Sequence, residues 1–253
     1  HDSSFIEFND SQHLAKHSTM PVVISGTAGS GKTVVAFSIL AYKQTLQTAK
    51  RLYVAQSKNL INHMKELWEK HPSAQLDKGN VVFTTYDDLL LSLEPHLTSF
   101  AMQNESDFLK WFDEIYLKEF QRRHKISPNK KSHQKYDTTD GLNDLFKKQT
   151  AIYQEFRIIS ACDNEKEYLE LGVHQSLFKK EHRTWLFSAY LKYKTYLLDK
   201  KKIDSALHCL QIRNECELYD LIVVDEAQDL SHLQLKQLFR LAKESRIVYC
   251  IDT

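Results

Sequence analysis

Residues 26–33 read Gly-Thr-Ala-Gly-Ser-Gly-Lys-Thr: a glycine, four residues, then glycine, lysine and threonine. No other stretch of the chain restricts its fold so tightly, because such a loop works only between a strand and a helix. Its backbone N–H groups close around phosphate oxygens, and the helix after it points its positive end at the same charge. The flanks agree. Pro21-Val22-Val23-Ile24-Ser25 reads as a buried strand, and Val34 to Leu46 reads as a helix. The nucleotide-binding set is then Gly26, Thr27, Ala28, Gly29, Ser30, Gly31, Lys32 and Thr33. Lys32 reaches the β- and γ-phosphates and the Thr33 hydroxyl binds Mg²⁺, so ATP and Mg²⁺ are the expected ligands.

A second motif completes the first. Tyr219-Asp220-Leu221-Ile222-Val223-Val224 is a short β-branched run that suits a central parallel strand buried on both faces. It runs into Asp225-Glu226-Ala227-Gln228-Asp229, which places two carboxylates at the carboxyl end of a strand, where open α/β sheets bind ligands. Asp225 is expected to hold Mg²⁺ through water. Glu226 is expected to orient or deprotonate the attacking water.

Composition excludes several classes. Hydrophobic residues make up 42% and charged residues 26% of the chain, the balance of a soluble globular protein. No apolar run approaches the roughly 18–20 residues that span a bilayer, and no signal-like apolar core opens the chain, so a cytoplasmic location is expected. The four cysteines and twelve histidines show no metal-ligand spacing. The net charge of +1 announces no global basic field. Locally, seven Lys or Arg lie between Lys118 and Lys135, and eight between Lys179 and Lys202. Aromatic residues interleave with them: Trp111, Phe112, Tyr116 and Phe120, then Trp185, Phe187, Tyr190, Tyr193 and Tyr196. Cations and flat rings suit a single-stranded nucleic acid. The same spacing also suits a helix core with a solvated lysine face, which residue by residue is the stronger reading.

Strand–helix alternation runs from strand 20–25 and helix 31–47 through strand 51–55, helix 57–70, strand 80–85 and helix 86–93. It then stops for more than a hundred residues, which carry helical patterns over 105–125, 142–157, 164–180 and 183–211. Ser127–Gly141 reads as an exposed polar loop. Alternation resumes at 220–224, 231–243 and 246–251. The expected architecture is an α/β fold: a RecA-like P-loop NTPase parallel sheet over 1–93 and 213–253, with a mostly helical inserted subdomain over 94–212. No internal repeat is seen.

These motifs resemble the N-terminal half of a superfamily 1 DNA helicase of the UvrD/Rep type. The resemblance covers nearly the full length, although the insertion matches by position and helical character. Asn9-Asp10-Ser11-Gln12, fourteen residues before Gly26, looks like the family's adenine-reading motif, so the resemblance gives Gln12 the adenine edge. Val82 to Leu89 looks like the segment that contacts single-stranded DNA, which would assign that contact to Thr84, Thr85 and Tyr86. The five-residue form at 225–229 is that of the UvrD/Rep branch, and it makes Gln228 a sensor of the γ-phosphate. Ile251-Asp252-Thr253 looks like the start of the next motif.

Two positions depart from the family. Val34 stands where many members carry an arginine flanking adenine. Ala55-Gln56-Ser57-Lys58-Asn59-Leu60 is nearer to divergent relatives that act on other nucleoprotein assemblies. Asp204 falls where relatives carry an Asp-rich helix ending the insertion. The resemblance implies a 3′-to-5′ motor that binds single-stranded DNA, or RNA, and hydrolyses ATP against a second RecA-like domain. The chain then reads as a monomeric fragment nearly inactive alone, with no membrane partner. A helicase-like ATPase that remodels a protein–nucleic-acid complex without unwinding, and a regulatory P-loop ATPase switch, are the alternatives.

Overall fold

The computed structural model describes residues 19–27, 31–42, 49–72, 74, 80–123, 146–211 and 218–253. In chain order the elements are β1 (Val22–Gly26), α1 (Lys32–Tyr42), β2 (Arg51–Ala55), α2 (Lys58–Glu69), β3 (Val81–Thr85), α3 (Tyr86–Leu93), β4 (Ala101–Gln103) and α4 (Glu105–Trp111). A π-helical turn, Phe112–Leu117, joins α4 to α5 (Lys118–Arg123). Next come α6 (Gln149–Ala161), α7 (Glu165–Glu170), α8 (Arg183–Asp199), β5 (Lys202–Asp204), β6 (Leu221–Val224), α9 (His232–Leu241) and β7 (Ile247–Asp252). The chain divides into two compact units, His1–His96 with Cys209–Thr253, and Leu97–His208.

The first unit is built on a five-stranded, wholly parallel sheet in the order β1-β7-β6-β2-β3. Its central strands are dry: Leu52, Tyr53, Val54 and all of Leu221 to Val224 are 0% exposed, as strands covered on both faces must be. On one face α1 and α2 pack Val35, Ile39, Ile61 and Met64 against Val22, Ile24, Val223 and Val248. Phe37 meets Tyr53 edge-on at 6.1 Å, and Tyr53 stacks on Phe83 at 5.1 Å. Arg51 is buried and ties β2 to α1 by donating from Nη1 to the Leu40 carbonyl at 2.8 Å. One expectation changes here. Among the described residues β1 pairs with β7 alone, and its side chains alternate between faces: Val22 and Ile24 are buried while Val23 is 62% exposed.

The second unit gathers its aromatics into one core: Phe108, Trp111, Phe112, Tyr116, Phe120, Tyr153, Phe156, Tyr190 and Tyr193 among them. Phe108, Phe112, Tyr116 and Phe120 recur every four residues, a spacing that drifts by about 40° per repeat around an ideal α-helix. The π-helical turn unwinds the helix across that stretch and keeps all four rings on the buried side. The interleaved lysines cover the same core from outside. Lys192, Lys194 and Lys202 sit over the Tyr116, Tyr190 and Tyr196 rings at 5.3, 5.8 and 5.2 Å.

Two helices expected in this unit are shorter than their periodicity suggested. The pattern over 164–180 is helical only to Glu170, and buried charge organises the residues beyond it. The Arg183 guanidinium donates to the Leu169, Leu171 and Gly172 carbonyls, closing the end of α7. Glu155, 0% exposed, accepts from the Tyr168 hydroxyl at 2.8 Å, Ser176 Oγ at 2.5 Å and Leu177 N at 2.8 Å. The pattern over 183–211 stops at Asp199, because Lys201 turns to a positive φ of 49° and Lys202–Asp204 becomes a strand. That strand pairs in parallel with β4, a two-stranded ladder that the helical periodicity does not reveal. Asp204 therefore ends a strand, not a helix, and accepts from the buried Tyr153 hydroxyl at 3.1 Å. The polar stretch 127–141 lies outside the described residues. Among the described residues no helix is long and apolar enough to cross a membrane.

Glu155→Ala removes the acceptor shared by three donors, among them the buried Tyr168 hydroxyl, and is expected to lower stability by about 3 kcal/mol in denaturant unfolding. Glu155→Gln, which keeps an acceptor oxygen, is expected to lose distinctly less. Equal losses for the two would show that the acceptor is not what holds this segment.

Candidate active site

Alternation along the strands decides which side chains reach the site. On the face covered by α1, β1 shows Val22 and Ile24, β6 shows Leu221 and Val223, and β7 shows Val248 and Cys250. One further step of two residues brings up Gly26, Asp225 and Asp252. Register aligns them, because Gly26 pairs with Asp252 and Asp225 N donates to the Val54 carbonyl at 2.8 Å. The phosphate loop and the Asp-Glu motif thus open at the same carboxyl edge, with β7 between their strands.

Lys32 begins α1 and turns back over this edge. Its ammonium donates to the Gly26 and Thr27 carbonyls at 2.6 and 2.8 Å and pairs with the Asp252 carboxylate at 2.8 Å. The residue before it, Gly31, has φ 84°, which a side chain would strain. Thr33 is the second residue of α1 and is partly exposed. Asp225 is gripped on both oxygens: Oδ2 accepts from the Tyr53 hydroxyl at 2.5 Å and Oδ1 from Glu226 N at 2.9 Å.

Glu226 adopts a left-handed conformation, φ 46° and ψ 48°, which costs a non-glycine residue about 1–2 kcal/mol. The turn is closed by Asp229 N donating to the Glu226 carbonyl at 2.9 Å. Burial raises the Glu226 carboxyl above its ordinary value, and the nearby carboxylates of Asp229, Asp225 and Asp252 push the same way. A base that holds its proton more firmly is better matched to proton abstraction near neutral pH. Gln228 is exposed, and its Oε1 accepts from Asp252 N at 3.3 Å.

Of the residues expected at this site, Gly26, Thr27, Gly31, Lys32, Thr33, Asp225, Glu226 and Gln228 meet at one edge of the sheet. Gln12, Ala28, Gly29 and Ser30 lie outside the described residues. Two participants were not assigned from sequence. Asp252 carried a signal, an acid at the end of an apolar strand; Tyr53 carried none, since a tyrosine inside a strand looks like core. The expected nucleic-acid contacts are placed differently from their reading. Thr85 is buried and caps α3, its Oγ1 accepting from Asp88 N at 3.1 Å. Tyr86 is 1% exposed, accepts from Gln237 Nε2 at 2.7 Å, and lies on the same helix face as buried Leu89 and Leu90. Thr84 is partly buried and donates to the Thr85 carbonyl at 3.1 Å.

A family model described as an AAA domain matches residues 12–251. The chain belongs to the AAA domain family. No curated protein was found to match it. Family membership and site geometry agree on a P-loop ATPase domain, in which Lys32, Asp225 and Glu226 lie together. The donor set also fits Mg²⁺. Among the described residues no cluster of three or more His, Cys, Asp or Glu forms a metal cage. Mg²⁺ is a hard ion that takes oxygen donors, and Thr33 and Asp225 are the hydroxyl and carboxylate that would hold it.

The raised Glu226 carboxyl has a consequence for stability. Between the unfolded value of about 4.3 and the higher folded value, the native state binds more protons, so stability falls as pH rises through that window. Glu226→Gln removes the charge and is expected to melt at a higher temperature than the parent at pH 7, with the gap closing towards pH 4. A gap that persists unchanged at pH 4 would assign the effect to packing.

Proposed function

We propose that this AAA domain is the ATP- and Mg²⁺-dependent motor domain of a 3′-to-5′ DNA translocase or helicase. The observation that carries the ATPase chemistry is the convergence of Lys32, Asp225 and Glu226 on one sheet edge. The motor reading rests on the UvrD/Rep-type form of Asp225 to Asp229 and on Gln228, whose amide meets the strand that bears Lys32's carboxylate partner.

Binding begins with an exchange of partners. Lys32, held by two carbonyls and Asp252, turns its charge to the β- and γ-phosphates, which the N-terminus of α1 also favours. Mg²⁺, held by Thr33 and through water by Asp225, would neutralise charge developing on the phosphoryl oxygens. Glu226 accepts the proton of the attacking water, which its raised proton affinity favours. Gln228 links the Glu226 turn to β7 and so senses which partner Lys32 has taken. An arginine finger from a second RecA-like domain would complete the charge stabilisation.

Nucleic acid is assigned to the same carboxyl edge rather than to the insertion's aromatic core. Gln56, Lys58 and Asn59 are exposed just beyond β2, where the resembled family carries its first DNA-contact motif. A helicase-like ATPase that remodels a nucleoprotein complex without unwinding is the second reading. It is favoured by the divergence of that segment and by the burial of Tyr86.

Lys32→Ala is expected to abolish or severely weaken ATP binding in calorimetry; unchanged affinity would remove the assignment. In the longest available form of the protein, Glu226→Gln is expected to keep Mg·ATP bound while turnover falls about 10²-fold or more. Single-stranded DNA is expected to stimulate the parent's phosphate release, and a tailed duplex is expected to be unwound. Stimulation without unwinding would favour remodelling, and no stimulation at all would leave an ATPase switch.

A further inference from the structure

Tyr53 has a part in this site that its place in the core conceals. Its ring is 0% exposed, held between Phe37 of α1 and Phe83 of β3. Apolar packing alone asks only for a phenylalanine there. A buried hydroxyl needs a partner, and this one takes Asp225 Oδ2 at 2.5 Å. Register explains the reach: Tyr53 pairs with Val223, and Asp225, two residues on and just past the end of β6, comes up on the same face.

We propose that Tyr53 is a positioning residue for the Mg²⁺ site, its hydroxyl fixing the orientation of the Asp225 carboxylate. The inference rests on the assignment of Asp225 to Mg²⁺. With Glu226 N on Oδ1 and Tyr53 on Oδ2, the carboxylate plane is set from both sides, and each oxygen keeps a lone pair for a water on the metal. Losing such a second-layer hydrogen bond typically costs about 10–100-fold in metal affinity.

The test is Tyr53→Phe, read by binding of a fluorescent mant-ADP with Mg²⁺ titrated from zero. The variant is expected to keep the parent's melting transition and its Mg²⁺-free mant-ADP affinity within about twofold. The Mg²⁺ concentration at half-effect is expected to rise about 10-fold. In an Asp225→Asn background the same substitution is expected to add little, since the acceptor charge is already gone. Tyr53→Met, an adaptable apolar filler without the donor, is expected to reproduce the shift if the Phe variant fails to fold. Equal Mg²⁺ midpoints for parent and variant, or an undiminished effect without Asp225, overturn the inference while leaving the ATPase reading intact. A parent whose mant-ADP binding ignores Mg²⁺ removes the metal assignment itself, and this inference with it.

Discussion

In a parallel sheet every strand presents its carboxyl end at the same edge, so strands that are dry along their length bring the polar groups that follow them together there. That constraint underlies the first unit. Leu52 to Val54 and Leu221 to Val224 are fully buried, and two carboxylates follow directly past the ladder, at Asp225 and Glu226. Register then fixes their neighbours: Gly26 opposite Asp252, and Tyr53 opposite the residue two before Asp225. A slip of one residue in β6 would turn Asp225 to the other face, away from both Tyr53 and α1.

The site so formed is electrically lopsided. Burial raises Glu226, and the carboxylates of Asp229, Asp225 and Asp252 push it the same way, while Lys32 pairs with Asp252. A triphosphate arriving at such a cluster brings more negative charge to it. In the proposed function Mg²⁺, which Thr33 and Asp225 would hold, would offset that charge as well as assist the chemistry. The left-handed backbone of Glu226 belongs to the same design, since it turns the chain sharply off β6 and keeps two consecutive acids at one edge.

The second unit shows how composition alone misleads. Basic and aromatic residues interleave along its helices as they do in single-strand binders, yet the rings are its core and three of the lysines lie across their outer faces. The four-residue recurrence of Phe108, Phe112, Tyr116 and Phe120 is a property of packing, and the π-helical turn is its consequence.

The parallel α/β sheet, the phosphate loop's place between β1 and α1, and the pairing of Asp225 with Glu226 were legible in the sequence alone. Those features depend on local patterns: β-branched runs, glycine spacing, acids directly after a strand. What the sequence left open depended on partners distant along the chain. Nothing local tells a core tyrosine from Tyr53, whose partner lies 172 residues away. Thr85 and Tyr86 fit a surface motif until the cap at Asp88 and the bond from Gln237 bury them. The ends of α7 and α8 were set by Arg183, Glu155 and the pairing of β4 with β5, which outweigh a helical periodicity that continues past them. The sequence specified which chemistry is present, and the tertiary structure decided which groups carry it out, because hydrogen bonds and burial are shared between residues that only folding brings together.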